Sequence, residues 1–310
     1  MTKSTEEAIS KIPIVNLIAR LLQKIKLPGL EGMSLYHLLE MYVIGLAKGA
    51  ITTRGSSIAF SFFTAMFPFL IFILILIPYI PVEDFRSEFM VFLESFLPPN
   101  TSDFFFTNIF EDIEGTDRAG LLSSVFLLSI FLMANGVNAI FSGFENSYYL
   151  KINRSFVKQY LFALGIAILL ALLVVVTVVV LGYFEIYVIE NLEDYGYIEK
   201  EQGQFGIQLA KYLFFVLMIY LAISIMYYFG TREGRTHKFF SIGAAFTTFL
   251  IMLTSYLFGI YIENFSQYNE LYGSIGALLI LLLYIWLNSN ILLLGFELNA
   301  SLNQLKRNIR

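Results

Sequence analysis

Residues 161–182 read LFALGIAILLALLVVVTVVVLG, an unbroken stretch with no charged side chain and a single hydroxyl. About 20 such residues suffice to cross a hydrocarbon core as a helix. Lipid offers no water to satisfy backbone N–H and C=O groups, so few other backbone forms are open to such a run. Comparable runs recur at FPFLIFILILIPYIP and LLSSVFLLSIFLMAN. The chain is 57% hydrophobic and 14% charged, where a soluble domain carries about 25% charge. The sequence therefore predicts an all-α, polytopic membrane protein: a bundle of six transmembrane helices with amphipathic helices at the interfaces.

The predicted spans are 58–80, 121–144, 156–184, 208–229, 239–262 and 274–296. They leave an N-terminal cytoplasmic region (1–57) with amphipathic helices, a membrane domain (58–296) and a cytoplasmic tail (297–310). Sixteen of the 20 basic residues lie in the N-terminal region, the two links after spans 2 and 4, and the tail. The alternate segments hold 17 of the 24 acidic residues. Lys and Arg in short loops stay cytoplasmic, so both termini are expected inside a multi-pass protein of the cell (inner) membrane. With no cysteine in the chain, disulfide and thiolate chemistry are excluded. No signal-peptide pattern opens the sequence, so the first span is expected to direct insertion.

Three segments read as amphipathic. Ile14, Leu17, Ile18, Leu21, Leu22 and Ile25 follow the spacing of one helix face before Pro28-Gly29. A second helix, starting near Ser34, puts Leu35, Leu38, Leu39, Tyr42 and Leu46 on one side. A third, on the outer side, carries Phe85, Phe89, Phe92 and Phe96. Such faces suit either the membrane surface or the bundle itself.

Polar residues inside the spans are more informative. In span 2, Asn135, Asn138, Ser142, Glu145 and Asn146 fall within about 100° of arc, with Val137, Ile140, Phe141 and Phe144 opposite. Gly136, Ala139 and Gly143 form a ridge of small residues where a neighbouring helix can approach. Span 1 carries Ser57, Ser61 and Thr64 on the face of Arg54, and Pro68 is expected to kink the helix. Span 6 is polar on two sides, with Tyr284, Asn288 and Asn299 on one and Trp286, Asn290, Glu297 and Ser301 on the other. These stripes are expected to look into the bundle and to line a polar cavity open to the cytoplasm, through Ser61, Thr64, Asn135, Asn138, Ser142, Asn288 and Asn290. The competing reading is that the amides only stitch helices together.

By the topology, Arg54, Glu145 and Glu297 all lie at the cytoplasmic boundary. A charge there costs less than at a helix centre, and less again when paired. Arg54 is expected to pair with Glu145 or Glu297.

Two regions carry a family resemblance. IAFSFFTAMFPFLIFIL (58–74) and the second half, with GTREGRTHKFFSIGAAF and YNELYGSIGALLILLLYIWLNSNILLLGFELNASL, are similar to the YihY/BrkB family of multi-pass inner-membrane proteins. The resemblance covers roughly residues 40–302. Two departures stand out: Ser241-Ile242-Gly243-Ala244 replaces the family's Pro-Gly-Ala, and Tyr284 precedes Trp286 where the family tends to the reverse order. The resemblance implies six spans with cytoplasmic termini and a loose association with the cell envelope and virulence, but no defined activity.

The family once carried a ribonuclease label, which the residues disfavour. Metal-dependent nucleases gather His, Asp and Glu about an ion, whereas this chain has two histidines, His37 and His237, each beside basic or amphipathic sequence. No Walker loop, GxSxG or HExxH appears. The protein is expected not to be an enzyme and to need no metal or cofactor. The favoured function is a transporter or a lipid- or amphiphile-handling protein of the envelope. Its partners would be membrane lipids and a lipid-like or ionic substrate, not nucleic acid. The alternative is a non-transporting envelope scaffold working through its acidic outer segments.

Overall fold

The computed structural model describes residues 22–26, 34–48, 50–76, 118–145, 147, 155–183, 200–230, 238–264 and 274–309. The described elements are helical: α1 (Leu35–Lys48), α2 (Ile51–Leu76), α3 (Arg118–Glu145), α4 (Phe156–Tyr183), α5 (Lys200–Gly230), α6 (Ile242–Asn264) and α7 (Ser274–Ile309). Five of them contain stretches long and apolar enough to cross a membrane: Leu127–Glu145, Val157–Leu181, Gln208–Gly230, Ile242–Ile262 and Leu278–Gln304. The expected first span falls in α2, which is not among these five. Its helix starts at Ile51, seven residues before the expected boundary, and continues through Pro68.

The helices pack in chain order around a closed ring. α2 lies on α3, α3 on α4, α4 on α5, α5 on α6, α6 on α7, and α7 returns to α2. α1 packs against α7. Of its expected apolar face, Leu38 is buried, while Leu39 stays open together with Val43. The first expected amphipathic helix is described only at residues 22–26, and the outer one lies outside the described residues.

The ring's centre is apolar. Ile58 of α2, Val137, Ile140, Phe141 and Phe144 of α3, Ala163 and Ala167 of α4, Ile223 and Tyr227 of α5, and Leu293 and Phe296 of α7 are buried together. Phe144 stacks on Phe296 with centroids 4.1 Å apart, and Tyr227 meets both edge-on. Gly230 lets α5 close on this cluster, since a Cβ there would meet Phe144 at 2.7 Å. Without water-driven attraction between helices in lipid, such close approach is what holds them together.

The α6–α7 crossing is the tightest point. A Cβ on Gly295 would overlap the Thr247 hydroxyl and lie 2.8 Å from the carbonyl of Gly243. Buried Tyr227 ties the same crossing, donating to the Leu292 carbonyl at 2.6 Å and lying 2.6 Å from the Thr247 hydroxyl. The unbroken α7 also carries the predicted tail into the helix as far as Ile309.

Gly295→Ala should therefore force α6 and α7 apart at a cost of about 1–3 kcal/mol. Thermal unfolding in detergent should show a lower Tm. Gly165→Ala, at a position with nothing within 4 Å, should be neutral or slightly stabilising. Equal Tm values for the two variants would contradict the crossing.

Candidate functional site

Arg54 enters from the first turn of α2 and is almost fully buried, at 8% exposure, against a wholly buried Glu297 from α7. Its Nη2 donates to Glu297 Oε1 at 2.7 Å, and its Nη1 donates to the Gly143 carbonyl at 2.6 Å. Gly143 belongs to the last turn of α3, where carbonyls lack partners within the helix and carry the negative end of its dipole. A guanidinium there supplies both a donor and a positive charge. Ser147, just past that helix, donates its hydroxyl to Glu297 Oε2 at 2.7 Å and its N–H to the Phe144 carbonyl at 3.1 Å. Both carboxylate oxygens are thus occupied. Of the two partners weighed for Arg54, the structure places it on Glu297; Glu145 stands half-buried in the last turn of α3.

Tyr42 of α1 lies near this knot. Burial, and secondarily the Glu297 charge, push its phenol up to about 12. The phenol therefore favours the folded state while neutral. That contribution is complete below about pH 10, the ordinary tyrosine value, and is lost as the pH rises towards 12.

The α3 stripe is oriented differently from the sequence expectation. Val137, Ile140, Phe141 and Phe144, expected to point away from the bundle, form its buried centre. Asn135, Asn138 and Ser142 are half-buried on the flank. On a helical projection Leu128, Phe131, Asn135 and Ser142 fall within about 60° of arc, with Asn138 about 20° beyond. Leu128 is 51% and Phe131 58% exposed, so this sector faces outward. The reason is physical: in lipid an apolar face packs as well inward as outward, so polarity alone does not choose the buried side.

The small-residue ridge does receive a neighbour. Gly136 lies against Ala65 and the Ser61 backbone of α2, and Gly143 against Ile58 and Leu293. Two residues of α4 frame the stripe: Gln159 Nε2 donates to Ser142 Oγ at 3.1 Å, and the Tyr160 hydroxyl donates to the Phe131 carbonyl at 2.9 Å. Between them, the side chains of Asn135 and Asn138 make no hydrogen bond to the described residues.

Other expected cavity residues spend their polar groups locally. Thr64 donates back to Phe60 and Ser61 of its own helix, and both Ser61 and Thr64 are half-buried beside exposed Phe60. Asn288 donates to the Tyr284 carbonyl at 2.9 Å and Asn290 to the Trp286 carbonyl at 2.7 Å. Asn290 also covers Gly55 of α2. Among the described residues no hydrogen bond joins either amide to the α3 stripe, and Asn288 Oδ1 is buried without a partner there. Pro68 sits inside α2, with its carbonyl accepting from Ser129 of α3. Asn146 lies outside the described residues.

Asn299 has a role that its place on a polar face did not reveal. Its Oδ1 accepts the Gly243 N–H at 2.8 Å, and its Nδ2 donates to Ser241 Oγ. Ser241 in turn accepts the Ala244 N–H at 3.2 Å. Together they cap the start of α6, so the departure from Pro-Gly-Ala comes with a serine cap. Ser147, Gln159 and Tyr42 were also missed as site residues. Gln159 carried a signal, being an amide in the first turn of a long apolar helix; Ser147 and the Gly143 carbonyl carried none.

A family model described as Virulence factor BrkB matches residues 45–310. The chain belongs to that family. Within reach of this BrkB chain is a ribonuclease-like protein, YfkH, of Bacillus subtilis (strain 168), 26% identical over 263 residues, or 82% of this chain and 91% of the relative. A UPF0761 membrane protein of Psychrobacter sp. (strain PRwf-1) is 30% identical over 116 residues, covering 36% of this chain and 21% of that one. A UPF0761 membrane protein of Xanthomonas oryzae pv. oryzae (strain MAFF 311018) is 40% identical over 60 residues, 19% and 14% of the two chains. This chain thus spans most of YfkH but about a fifth or less of these two UPF0761 proteins. No solved structure matches.

Arg54→Met leaves Glu297 buried without its cation and should cost about 3–5 kcal/mol. The double variant Arg54→Met with Glu297→Gln should lose much less than the two single losses added together. Strictly additive losses in thermal unfolding would exclude a working pair.

Proposed function

We propose that this BrkB-family protein is a transporter or amphiphile-handling protein of the cell envelope, with α3 carrying the contact to its cargo. The observation behind this reading is the pair Asn135 and Asn138. Amides that merely stitched helices together would be bonded across an interface, as Asn299 is at α6. These two are left half-open and without partners among the described residues, within a stretch apolar enough to span the bilayer. An amide left facing hydrocarbon loses its hydrogen bonds at a cost of a few kcal/mol, so a polar cargo or water must serve it.

The same reading takes α2 as a sixth span. Its 26 residues rise about 39 Å, and it packs along α3 and α7, both of spanning length. An even number of spans puts both termini on one side, and the basic segments make that side cytoplasmic in the cell (inner) membrane. Arg54, Glu145 and Glu297 then mark the inner boundary. We infer that the protein is not an enzyme. The ribonuclease-like name of YfkH belongs to that protein, and here the buried carboxylate Glu297 is already committed to Arg54 and Ser147.

Native mass spectrometry of the protein extracted with surrounding lipid should find a discrete amphiphile adduct. Asn138→Leu, still folded, should lose it. An adduct that persists unchanged in the variant would remove α3 from the cargo site, and no adduct in either protein would count against amphiphile handling.

A further inference from the structure

The flank of α3 is a polar surface on the outside of a ring whose axis is closed. We propose that it is a binding groove for the head group of a phospholipid drawn sideways from the inner leaflet, with the acyl chains remaining in the bilayer. This rests on the amphiphile-handling reading and names its substrate class and route.

The route follows from what is packed and what is open. Phe141, Phe144, Ile58, Leu293 and Phe296 fill the ring's centre, so a solute moving along the axis would have to part the stacked Phe144 and Phe296 rings. The half-open amides instead face outward, beside Leu128 and Phe131. On α2, exposed Ser57 and half-buried Ser61 and Thr64 lie beside Phe60, which is 66% exposed. Both helices therefore place hydroxyls or amides next to open aromatic and aliphatic side chains. That pairing matches an amphiphile: oxygens for the polar atoms and apolar surface for the chains.

The extent of the stripe points to one leaflet. From Glu145 to Asn135, α3 rises about 15 Å, half of the roughly 30 Å hydrocarbon core. Under the proposed topology it begins at the inner boundary, where phospholipid heads reside, and stops near mid-bilayer. Lys158 is exposed at the inner end of α4, next to Gln159, which is bonded to Ser142. This charge favours an anionic phosphate at the mouth, with the Asn135 and Asn138 amides donating to phosphate or ester oxygens further in.

The absence of cysteine makes the test direct. Single variants Phe131→Cys and Leu172→Cys of the full chain would each carry a fluorophore, in vesicles of phosphatidylglycerol and phosphatidylethanolamine containing a head-group-spin-labelled phospholipid. Phe131 borders the two amides on α3 and leaves both in place. The two labelled sites lie at similar distances from the ends of α3 and α4 that meet at Gln159 and Ser142, and they are 58% and 57% exposed. The head-group label should quench strongly at Phe131→Cys and weakly at Leu172→Cys. Unlabelled Asn138→Leu should retain the labelled lipid about tenfold less well, the equivalent of one hydrogen bond of about 1.4 kcal/mol, with its Tm in detergent verifying the fold.

Equal quenching at both sites would overturn the groove. So would close contact between labels on two copies, which would mean that a second protein chain covers the stripe. If quenching is equal but the mass-spectrometric adduct still depends on Asn138, amphiphile handling stands and the lateral lipid route fails. If both are absent, the two readings fail together.

Discussion

The ring is closed by one buried charge pair. Arg54 and Glu297 lie 243 residues apart and bring the start of α2 against α7, while the second Arg54 bond and the Ser147 hydroxyl fasten both to the end of α3. Three helices thus share a single register point. Replacing a buried pair with apolar side chains is often neutral or stabilising, so its value is weak as stability and greater as specification. A guanidinium between one carboxylate oxygen and one helix-terminal carbonyl fits few other alignments of these helices. Shifting α7 by a turn would move Glu297 about 5.4 Å along its axis, breaking its bonds to both Arg54 and Ser147.

Above that point the packing is steric. Gly143 admits Ile58 and Leu293, Gly230 admits Phe144, and Gly243 and Gly295 bring α6 and α7 nearly into backbone contact. Several polar groups inside the ring are consumed by the architecture. Tyr227 bonds across α5, α6 and α7, and Asn299 with Ser241 caps α6. Asn288 and Asn290 fold back onto their own helix. Ser224 Oγ, Asn288 Oδ1 and Ser301 Oγ are buried without a hydrogen-bond partner among the described residues. The side chains of Asn135 and Asn138, equally without one there, differ in being half-open, and polar groups of that kind within a span concentrate where a protein meets something outside itself.

Much of this was legible in the sequence. Length and hydropathy located the helices, and the charged residues at three predicted inner boundaries limited Arg54 to two carboxylates, one of which it meets. The ridge Gly136–Gly143 announced a close helix contact without naming the neighbour, which is α2, with Leu293 of α7 also at Gly143. The direction of the α3 stripe was not legible. Periodicity states which residues share a face, but in a membrane both sides of a helix can be apolar, and the burial of Phe141 and Phe144 is decided by neighbours far along the chain. The count of spans shows a related limit: α2 begins with Thr52, Thr53, Arg54, Ser56 and Ser57 before its apolar run, so hydropathy placed its start at residue 58 rather than 51. Ser147 lay beyond the predicted end of its span, and a backbone carbonyl such as that of Gly143 leaves no trace in composition.

The two polar regions place opposite demands on the fold. The Arg54–Glu297 knot needs exclusion of water, since its strength depends on a low local dielectric, and it sits where α1 covers α7 with Leu38 and Tyr42 nearby. The Asn135–Ser142 flank is half-open, and the side chains of Asn135 and Asn138 have no hydrogen-bond partner among the described residues. α3 serves both because its faces are divided: Gly136 and Gly143 turn to α2, the phenylalanines fill the centre, and the amides look outward beside α4. A buried anchor on one helix end therefore holds a half-open polar surface in register on the next face. That division explains why Gly143 can be sealed against Arg54 while Ser142, its immediate neighbour, remains at the edge of the groove.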